Sequence, residues 1–438
     1  MNYAETLNYL YARLPMFHRV GAAAFKKDLT NTLALARHLG DPHTKFPSVH
    51  VGGTNGKGSV SHILAAICQA AGLKTGLYIS PHYRDFRERI KVNGRYIPRK
   101  AVVEFVCSNR QKIEEVQPSF FELCVAMAFD HFARERVDVA VIEVGLGGRL
   151  DSTNIITPEL SVITNISYDH MNLLGDTLTL IAGEKAGIIK PGIPVVIGET
   201  HPESAPVFLE KARSTGSEII FADQHVRATP VQESIQNRSI RTSYLVSRDE
   251  KTWINDLEME AGGPFQEKNL ATALLAWEKM KMIFPEIDEY ALRKGLENLK
   301  QLTRFMGRWE IIRNSPTVLC DSAHNEAGIA LAFDRINNWP HRKLHIVTGF
   351  VNDKPAGKVL SLFPKNASYY FAKANIPRGL DARDLARQAA GLGLAGRAYS
   401  SVKNALKAAV KKAGPDDLVV VIGSIFVVAE VIPGPRMT

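Results

Sequence analysis

The chain has 438 residues, 45% of them hydrophobic and 23% charged, a globular composition with room for two or three domains. Its 54 Lys and Arg exceed its 45 Asp and Glu, for a net charge of +9, without any long basic run; this favours small phosphorylated or carboxylated partners over a nucleic-acid groove. Four cysteines at 68, 107, 124 and 320 stand far apart with no CxxC, which predicts a reduced, cytoplasmic protein, and neither the N-terminus MNYAETLNYLYARLP nor the apolar stretch LVVVIGSIFVVAEVI reads as a signal peptide or a membrane span.

Strands and helices alternate along the chain. FPSVHV (46–51) reads as a short strand, and SVSHILAAICQAAG (59–72) as a helix stopped by Gly72. KTGLYIS (74–80) is the next strand and FFELCVAMAFDHFARE (120–135) a strongly periodic helix. VDVAVIEVG (137–145), ELSVITNIS (159–167) and IPVVIGE (193–199) are apolar runs of the kind that form buried parallel strands. Residues 200–260 are polar and irregular with some strand character, expected as peripheral strands of the same domain. A second series follows, with strands at TVLCD (317–321), KLHIVTGF (343–350), ASYYFAK (367–373) and DDLVVVIG (416–423). The pattern predicts a doubly wound α/β domain over 1–304 and a smaller Rossmann-like α/β domain over 305–438, broken within LKQLTRFMGRWE.

HVGGTNGKGSV (50–60) sits between a strand and a helix and is almost a phosphate-binding loop. Gly56-Lys57 is present, but the expected first glycine falls on Val51, and Gly58 fills the Ser/Thr slot with Ser59 one residue late. Backbone amides and a helix N-terminus there would face an anion, with Lys57 reaching the outer phosphates; the bland alternative is a tight glycine turn. Glu143 closes an apolar strand ahead of GLGGRLDSTN, the usual place for a magnesium ligand, against the alternative of a surface acid. Asp169-His170 falls just past another strand end, where a metal or phosphate role competes with a structural histidine. Lys185, in GEKAGIIKPG on a short helix, reads by default as a solvated lysine. CDSAHN (320–325) is either a nucleotide-gripping edge or an Asx-type turn.

Taken together, GTNGKGS (53–59), ISPH (79–82), EVGLGGRLDSTN (143–154), YDH (168–170), EKAGIIKPG (184–192), GRW (307–309) and DSAHN (321–325) resemble the folylpolyglutamate synthase/dihydrofolate synthase family of the Mur ligase superfamily, along the whole chain. The resemblance implies a Mur-type ATPase domain followed by a glutamate-ligase-type domain. It further implies ATP held by Gly53, Thr54, Asn55, Gly56, Lys57, Gly58, Ser59, Asn269, Arg308, Asp321 and His324, and two magnesium ions met by Ser80, Glu143 and His170. Lys185 matches the lysine that CO2 converts to N6-carboxylysine, a carbamate; Lys57, Glu143, His170 and Lys185 would be the catalytic set. The implied reaction forms an acyl phosphate on a reduced folate or dihydropteroate carboxylate, which the amine of L-glutamate attacks, with His324 or Asp321 placed to position or deprotonate that amine.

The pterin pocket matches Ser119, Phe120, Phe121 and Glu122 with Leu150, Asp151 and Ser152. A phenylalanine there can stack on a flat ring and Glu122 can accept from its amino group, although both phenylalanines also suit the helix core. The basic stretch YRDFRERIKVNGR (83–95) either attracts an anionic glutamate tail or is a solvated loop. Two departures stand out: Phe265 replaces a histidine common in the family ahead of Asn269, and VGAAAFKKDL (20–29) matches the pterin-contacting segment poorly. A cell-wall Mur ligase would carry about a hundred further N-terminal residues, for which a loop starting by residue 52 leaves no room. A regulatory nucleotide binder would be favoured by loss of Lys57, Glu143 or Lys185, all of which are present. The resemblance predicts a monomer, and a side-by-side assay of candidate pterins distinguishes the possible substrates.

Overall fold

The structure is a computed structural model describing residues 1–16, 28–352 and 356–434. The chain divides into two compact units. One comprises Met1–Val231, Ser243–Met259 and Gln266–Arg304; the other comprises Gln232–Thr242, Glu260–Phe265 and Phe305–Thr438.

The first unit is built on an eight-stranded sheet. Its strands are β1 (Ser48–Gly52), β2 (Thr75–Tyr78), β3 (Ile90–Val92), β4 (Arg95–Tyr96), β5 (Val139–Glu143), β6 (Leu160–Ile163), β7 (Val195–Ile197) and β8 (Ile219–Phe221), in the order β4-β3-β2-β5-β1-β6-β7-β8. All pairs are parallel except β2–β3 and β3–β4. The continuous apolar runs have the expected cause: β1, β2 and β5–β7 are buried along their whole length, so both faces carry hydrophobic side chains. Ala140 and Ile142 of β5 join the core of the helix Phe120–Glu135, with Phe129 and Phe132, while Val144 joins Ile163, Ala182 and Ile188 beneath the helix Leu178–Ala186. The helix Lys57–Ala70 packs on the helices Gln266–Lys281 and Glu289–Glu297. The last crossing is so close that a Cβ on Gly295 would sit 2.8 Å from the Ile67 backbone.

Register decides which loops meet. Val51 lies opposite Glu143, Gly52 opposite Ile163, and Tyr78 opposite Ile142. The loops leaving β2, β5, β1 and β6 therefore emerge side by side at the carboxyl edge of the sheet, where open α/β sheets bind ligands.

Residues 200–260 are more regular than the sequence suggests. They form a helix Ala205–Thr215, the edge strand β8, and a separate three-stranded sheet of β9 (Val226–Gln236), β10 (Ser239–Arg248) and β11 (Lys251–Met259), whose turn 232–242 belongs to the second unit. The basic stretch 83–95 is not a solvated loop: it contains β3, and Glu88, Arg89 and Lys91 are buried in it.

The second unit carries a six-stranded sheet in the order β12-β13-β17-β14-β15-β16, of strands Glu310–Asn314, Thr317–Cys320, Leu418–Ile422, Leu344–Thr348, Ser368–Ala372 and Gly396–Tyr399. Only β12 runs antiparallel to its neighbour. The apolar C-terminal stretch is β17, the turn at Gly423-Ser424 and a helix Ile425–Ala429, and among the described residues no helix is long and apolar enough to cross a membrane.

Candidate active site

The glycine loop between β1 and the helix Lys57–Ala70 is held from outside by the segment leaving β6. Thr54 N donates to Asn165 O at 2.8 Å and Asn55 N to Asn165 Oδ1 at 3.0 Å, while Asn55 Nδ2 donates to Ser167 Oγ at 3.2 Å. The Thr164 hydroxyl donates to Asn55 O. Two glycines are obligatory here. Gly53 has φ +131° and a Cβ on it would lie 2.0 Å from Thr164 Oγ1; Gly56 has φ +84° and its Cβ would lie 2.1 Å from Asn269 Oδ1. Asn269, on the helix Gln266–Lys281, thus touches the loop from the far end of the sequence. Ser59 is buried in the first turn of the helix that the loop opens.

The Cβ position of Gly58 lies 3.6 Å from Glu143 Oε1, so the carboxylate from the tip of β5 is in van der Waals reach of the first turn of the helix. Glu143 is 5% exposed, and its Oε2 accepts from Ser80 N at 3.0 Å. Ser80, Glu143 and the start of the helix after the glycine loop form one edge.

Two lysines converge on a single carbonyl. Lys57 Nζ donates to Gly53 O and Thr54 O, each at 3.0 Å, and Lys185 Nζ donates to the same Gly53 O at 2.8 Å. Lys185 is 4% exposed, which overturns its default reading as a solvated residue. Burial, and then the Lys57 ammonium, pull its pKa down to about 7, against the opposing charges of Asp169 and Asp151. Its helix is locked onto the 145–150 loop by glycines on both sides: a Cβ on Gly148 would be 2.7 Å from Glu184 O, and one on Gly187 would be 2.4 Å from Arg149 Cα. Arg149 adds an ion pair to Glu184 at 2.8 Å. His170 stands at a left-handed backbone position (φ +49°) after β6, with Nε2 3.7 Å from Asp169 Oδ1.

The expected pterin residues separate into two groups. Phe121 covers Gly145, where a Cβ would lie 2.4 Å from its Cζ and 3.2 Å from Asp151 Oδ2, and its ring is 6.2 Å from Tyr78. Phe121 and Asp151 are therefore close to Glu143. Asp151 is buried; Oδ2 accepts from Leu146 N (2.8 Å), and Oδ1 accepts from Thr153 N (3.0 Å) and Thr153 Oγ1 (2.6 Å). Burial raises its pKa and these bonds oppose the rise. Behind it, the buried His50 meets Thr153 Oγ1 at 2.9 Å; with that hydroxyl donating to Asp151, His50 must be the donor. Phe120 instead faces the core, 5.8 Å from Phe86, with Arg89 over its ring. Ser119 and Glu122 close a capping box at the helix start, so the Glu122 carboxylate is engaged by its own helix. Leu150 is half-buried and Ser152 buried in the following turn. The weakly matching segment 20–29 lies, but for its last two residues, outside the described residues.

In the second unit, Asp321 is 1% exposed and accepts from Trp309 N (2.9 Å) and Ala323 N (2.8 Å), so an Asx-type turn is present and also ties DSAHN to GRW. Burial raises its pKa, opposed first by Arg308. His324 Nδ1 lies 3.1 Å from Ser322 O. Arg308, Asp321 and His324 thus form a set of their own within this unit.

Sequence reading missed the residues that brace the glycine loop, Thr164, Asn165 and Ser167, and the His50–Thr153 support of Asp151. The first three lie in TNISYDH, whose polar run directly after an apolar strand was the available signal. No signal marked His50, since its contact is set by register alone.

Residues 51–277 match the Mur ligase middle domain and 307–425 the Mur ligase glutamate ligase domain. The chain is 33% identical to the folylpolyglutamate synthase of Lacticaseibacillus casei and 32% identical to the dihydrofolate synthase/folylpolyglutamate synthase of Bacillus subtilis, with 98% of each chain covered. It is 34% identical to a probable bifunctional folylpolyglutamate synthase/dihydropteroate synthase of Haloferax volcanii, but spans only 50% of that longer protein. The structure of Escherichia coli FolC in complex with DHPP and ADP superposes with a TM-score of 0.83 at 29% identity, covering 98% of this chain and 97% of that one.

Proposed function

Since the chain belongs to the folylpolyglutamate synthase/dihydrofolate synthase family of Mur ligases, we propose that it joins L-glutamate to the carboxylate of a reduced folate, and of dihydropteroate, at the expense of ATP. The γ-phosphoryl group passes from ATP to the carboxylate oxygen, giving ADP and an acyl phosphate. The neutral amine of glutamate attacks the acyl carbon, the amide C–N bond forms, phosphate leaves with the C–O electron pair, and the amine proton goes to a base or water.

The observation that carries this reading is the glycine loop with Lys57 folded over it. The Lys57 ammonium donates to the Gly53 and Thr54 carbonyls and its charge calls for an anion beside it, while the Lys185 amine on the same Gly53 carbonyl has a pKa lowered to about 7. A triphosphate and a carboxylate repel each other, and Lys57, the loop amides and the helix N-terminus are the groups that gather them. Gly53, Thr54, Asn55, Gly56, Gly58, Ser59 and Asn269 frame the phosphates in this reading; Arg308, Asp321 and His324 serve the nucleotide or the incoming glutamate.

The residues also suit magnesium. Magnesium retains waters and phosphate oxygens and takes one or two carboxylates; the buried Glu143 carboxylate, beside Ser80 through the Ser80 N bond, would with the Ser80 hydroxyl and His170 supply such a partial shell. Among the described residues no group of three or more His, Cys, Asp and Glu forms an all-protein cage. Magnesium, when bound, would offset the charge on the transferring phosphoryl group. Lys185 is the proposed carbamate carrier, because a buried amine with its pKa lowered to about 7 is unprotonated in a substantial fraction at neutral pH, unlike a solvated lysine, and only that form reacts with CO2. Phe121 would stack on the pterin, with Asp151 held ready as the acceptor beside it.

The test is phosphate release with dihydropteroate plus glutamate, set beside tetrahydrofolate plus glutamate. Activity on both is expected. Activity on tetrahydrofolate alone reduces the function to chain extension, the activity for which the Lacticaseibacillus relative is named; activity on neither removes the reading.

A further inference from the structure

The loop 79–89 leaves β2 and carries Ser80, which stands against Glu143. Its only regular structure is a short 3-10 turn, Phe86–Arg89, at its end. What shapes the rest is Glu88, 2% exposed. Its Oε2 accepts from Tyr83 N at 2.6 Å, and its Oε1 accepts from Arg84 N at 2.9 Å and Asp85 N at 2.8 Å. Three successive amides converging on one point make the kind of concavity that ordinarily receives a bound anion. Here the anion is the chain's own side chain.

The loop is tied at further points on either side. Ile79 N donates to Arg89 O at 3.1 Å, Arg89 Nε donates to His82 Nδ1 at 2.8 Å, and Ser80 N reaches Glu143 at 3.0 Å. Burying a carboxylate is costly unless it is hydrogen-bonded and compensated. Glu88 has three amide donors, and the buried Lys91 feels its charge. The bond from Asp85 N is one half of a capping box for the Phe86–Arg89 turn, but the Tyr83 and Arg84 amides lie outside that box, so the carboxylate holds more of the loop than capping requires. The spacing explains the purpose: the clamp grips 83–85, while Arg89 grips 79 and 82, so the intervening 80–82 stretch is held from both sides.

We infer that Glu88 is a positioning residue of the proposed metal edge, fixing the loop 80–85 so that Ser80 is presented beside Glu143. This rests on the reading of Ser80 and Glu143 as metal contacts. Replacing Glu88 by glutamine keeps the size but turns one acceptor into a donor, so at least one of the three amides loses its partner.

The test uses the full-length chain. Hydrogen exchange followed by mass spectrometry reads the amides of 83–85, and electron paramagnetic resonance reads Mn2+ binding to the enzyme–ATP-analogue complex. In Glu88→Gln the 83–85 amides should exchange at least about tenfold faster, and Mn2+ half-saturation should rise about tenfold, the range typical for losing a residue that orients a metal ligand. The Ser80→Ala, Glu88→Gln double variant should show no larger Mn2+ shift than Ser80→Ala alone. Unchanged Mn2+ binding in a folded Glu88→Gln protein, while Ser80→Ala shifts it, overturns the positioning role. Unchanged Mn2+ binding in Ser80→Ala instead overturns the metal reading of Ser80. Should Glu88→Gln fail to fold, Glu88→Asp, which keeps the charge on a shorter stem, must give an intermediate shift in both readouts; wild-type values in both overturn the proposal.

Discussion

Replacing Lys185 by methionine should stabilise the protein at neutral pH while abolishing ligation. In the folded chain the Lys185 amine has a pKa of about 7, lowered chiefly by burial and then by Lys57. Unfolded, the same amine titrates near 10.4. Between those two values the unfolded chain holds a proton that the folded chain has given up, so stability rises with pH across that window and is level below about pH 7. At about pH 7.4 the forgone proton costs on the order of 4 kcal/mol, and at about pH 9.5 on the order of 1 kcal/mol. Methionine carries no proton and has similar length, but forfeits the bond from Nζ to Gly53 O, worth about 1 kcal/mol. The variant should therefore gain about 2–3 kcal/mol at the lower pH and nearly nothing at the higher one. Urea unfolding of both proteins in CO2-depleted buffer at the two pH values measures this directly, and Lys91, whose pKa is also about 7, cancels in the comparison. A stability difference that does not change with pH would mean that the amine keeps its proton when folded. The carbamate proposal would then lose its chemical basis.

Lys57→Ala should leave the fold intact and lower kcat by about 10³ or more, read by phosphate release, because the charge facing the transferring phosphoryl group is lost. Glu143→Gln and His170→Ala should each raise the magnesium concentration needed for half-maximal rate; superimposable titration curves would place the metal elsewhere. Phe121→Ala should raise KM for whichever pterin is used and leave nucleotide affinity unchanged by equilibrium dialysis, since its ring covers Gly145 and does not touch the glycine loop in the contacts above.

Both sheets were legible in the sequence where strands are buried on two faces, as in VAVIE of β5 and LVVVI of β17, because such strands read as unbroken apolar runs. The strands that escaped notice are short or lie at sheet edges. β3 and β4 hold three and two residues around Asn93-Gly94, and β16 is largely exposed, so neither length nor alternation marks them. Lys185 shows a different limit. A lysine in a small-residue helix is normally solvated, and only the glycine interlock of 148 with 184–185 and 187 with 149 encloses it. Glu122 shows another: the resemblance places it in the pterin pocket, but Ser119 and Glu122 also have the spacing of a capping box, and the structure makes that bond.

The unusual glycine loop follows from the strand order. With β1 between β5 and β6, the loop after Gly52 is flanked by Glu143 on one side and by Thr164 and Asn165 on the other. Glu143 comes within 3.6 Å of the Cβ position of Gly58, so a carboxylate from the neighbouring strand stands beside the slot that carries a hydroxyl in the standard motif. Gly53 with Thr164, and Gly56 with Asn269, are each one feature divided between the loop and another element of the fold. A larger residue at 58 would meet the carboxylate, and a smaller acid at 143 would withdraw from Ser80 N. The glycines are placed by what arrives from elsewhere in the sheet, so a motif read only along the chain registers them as irregular spacing.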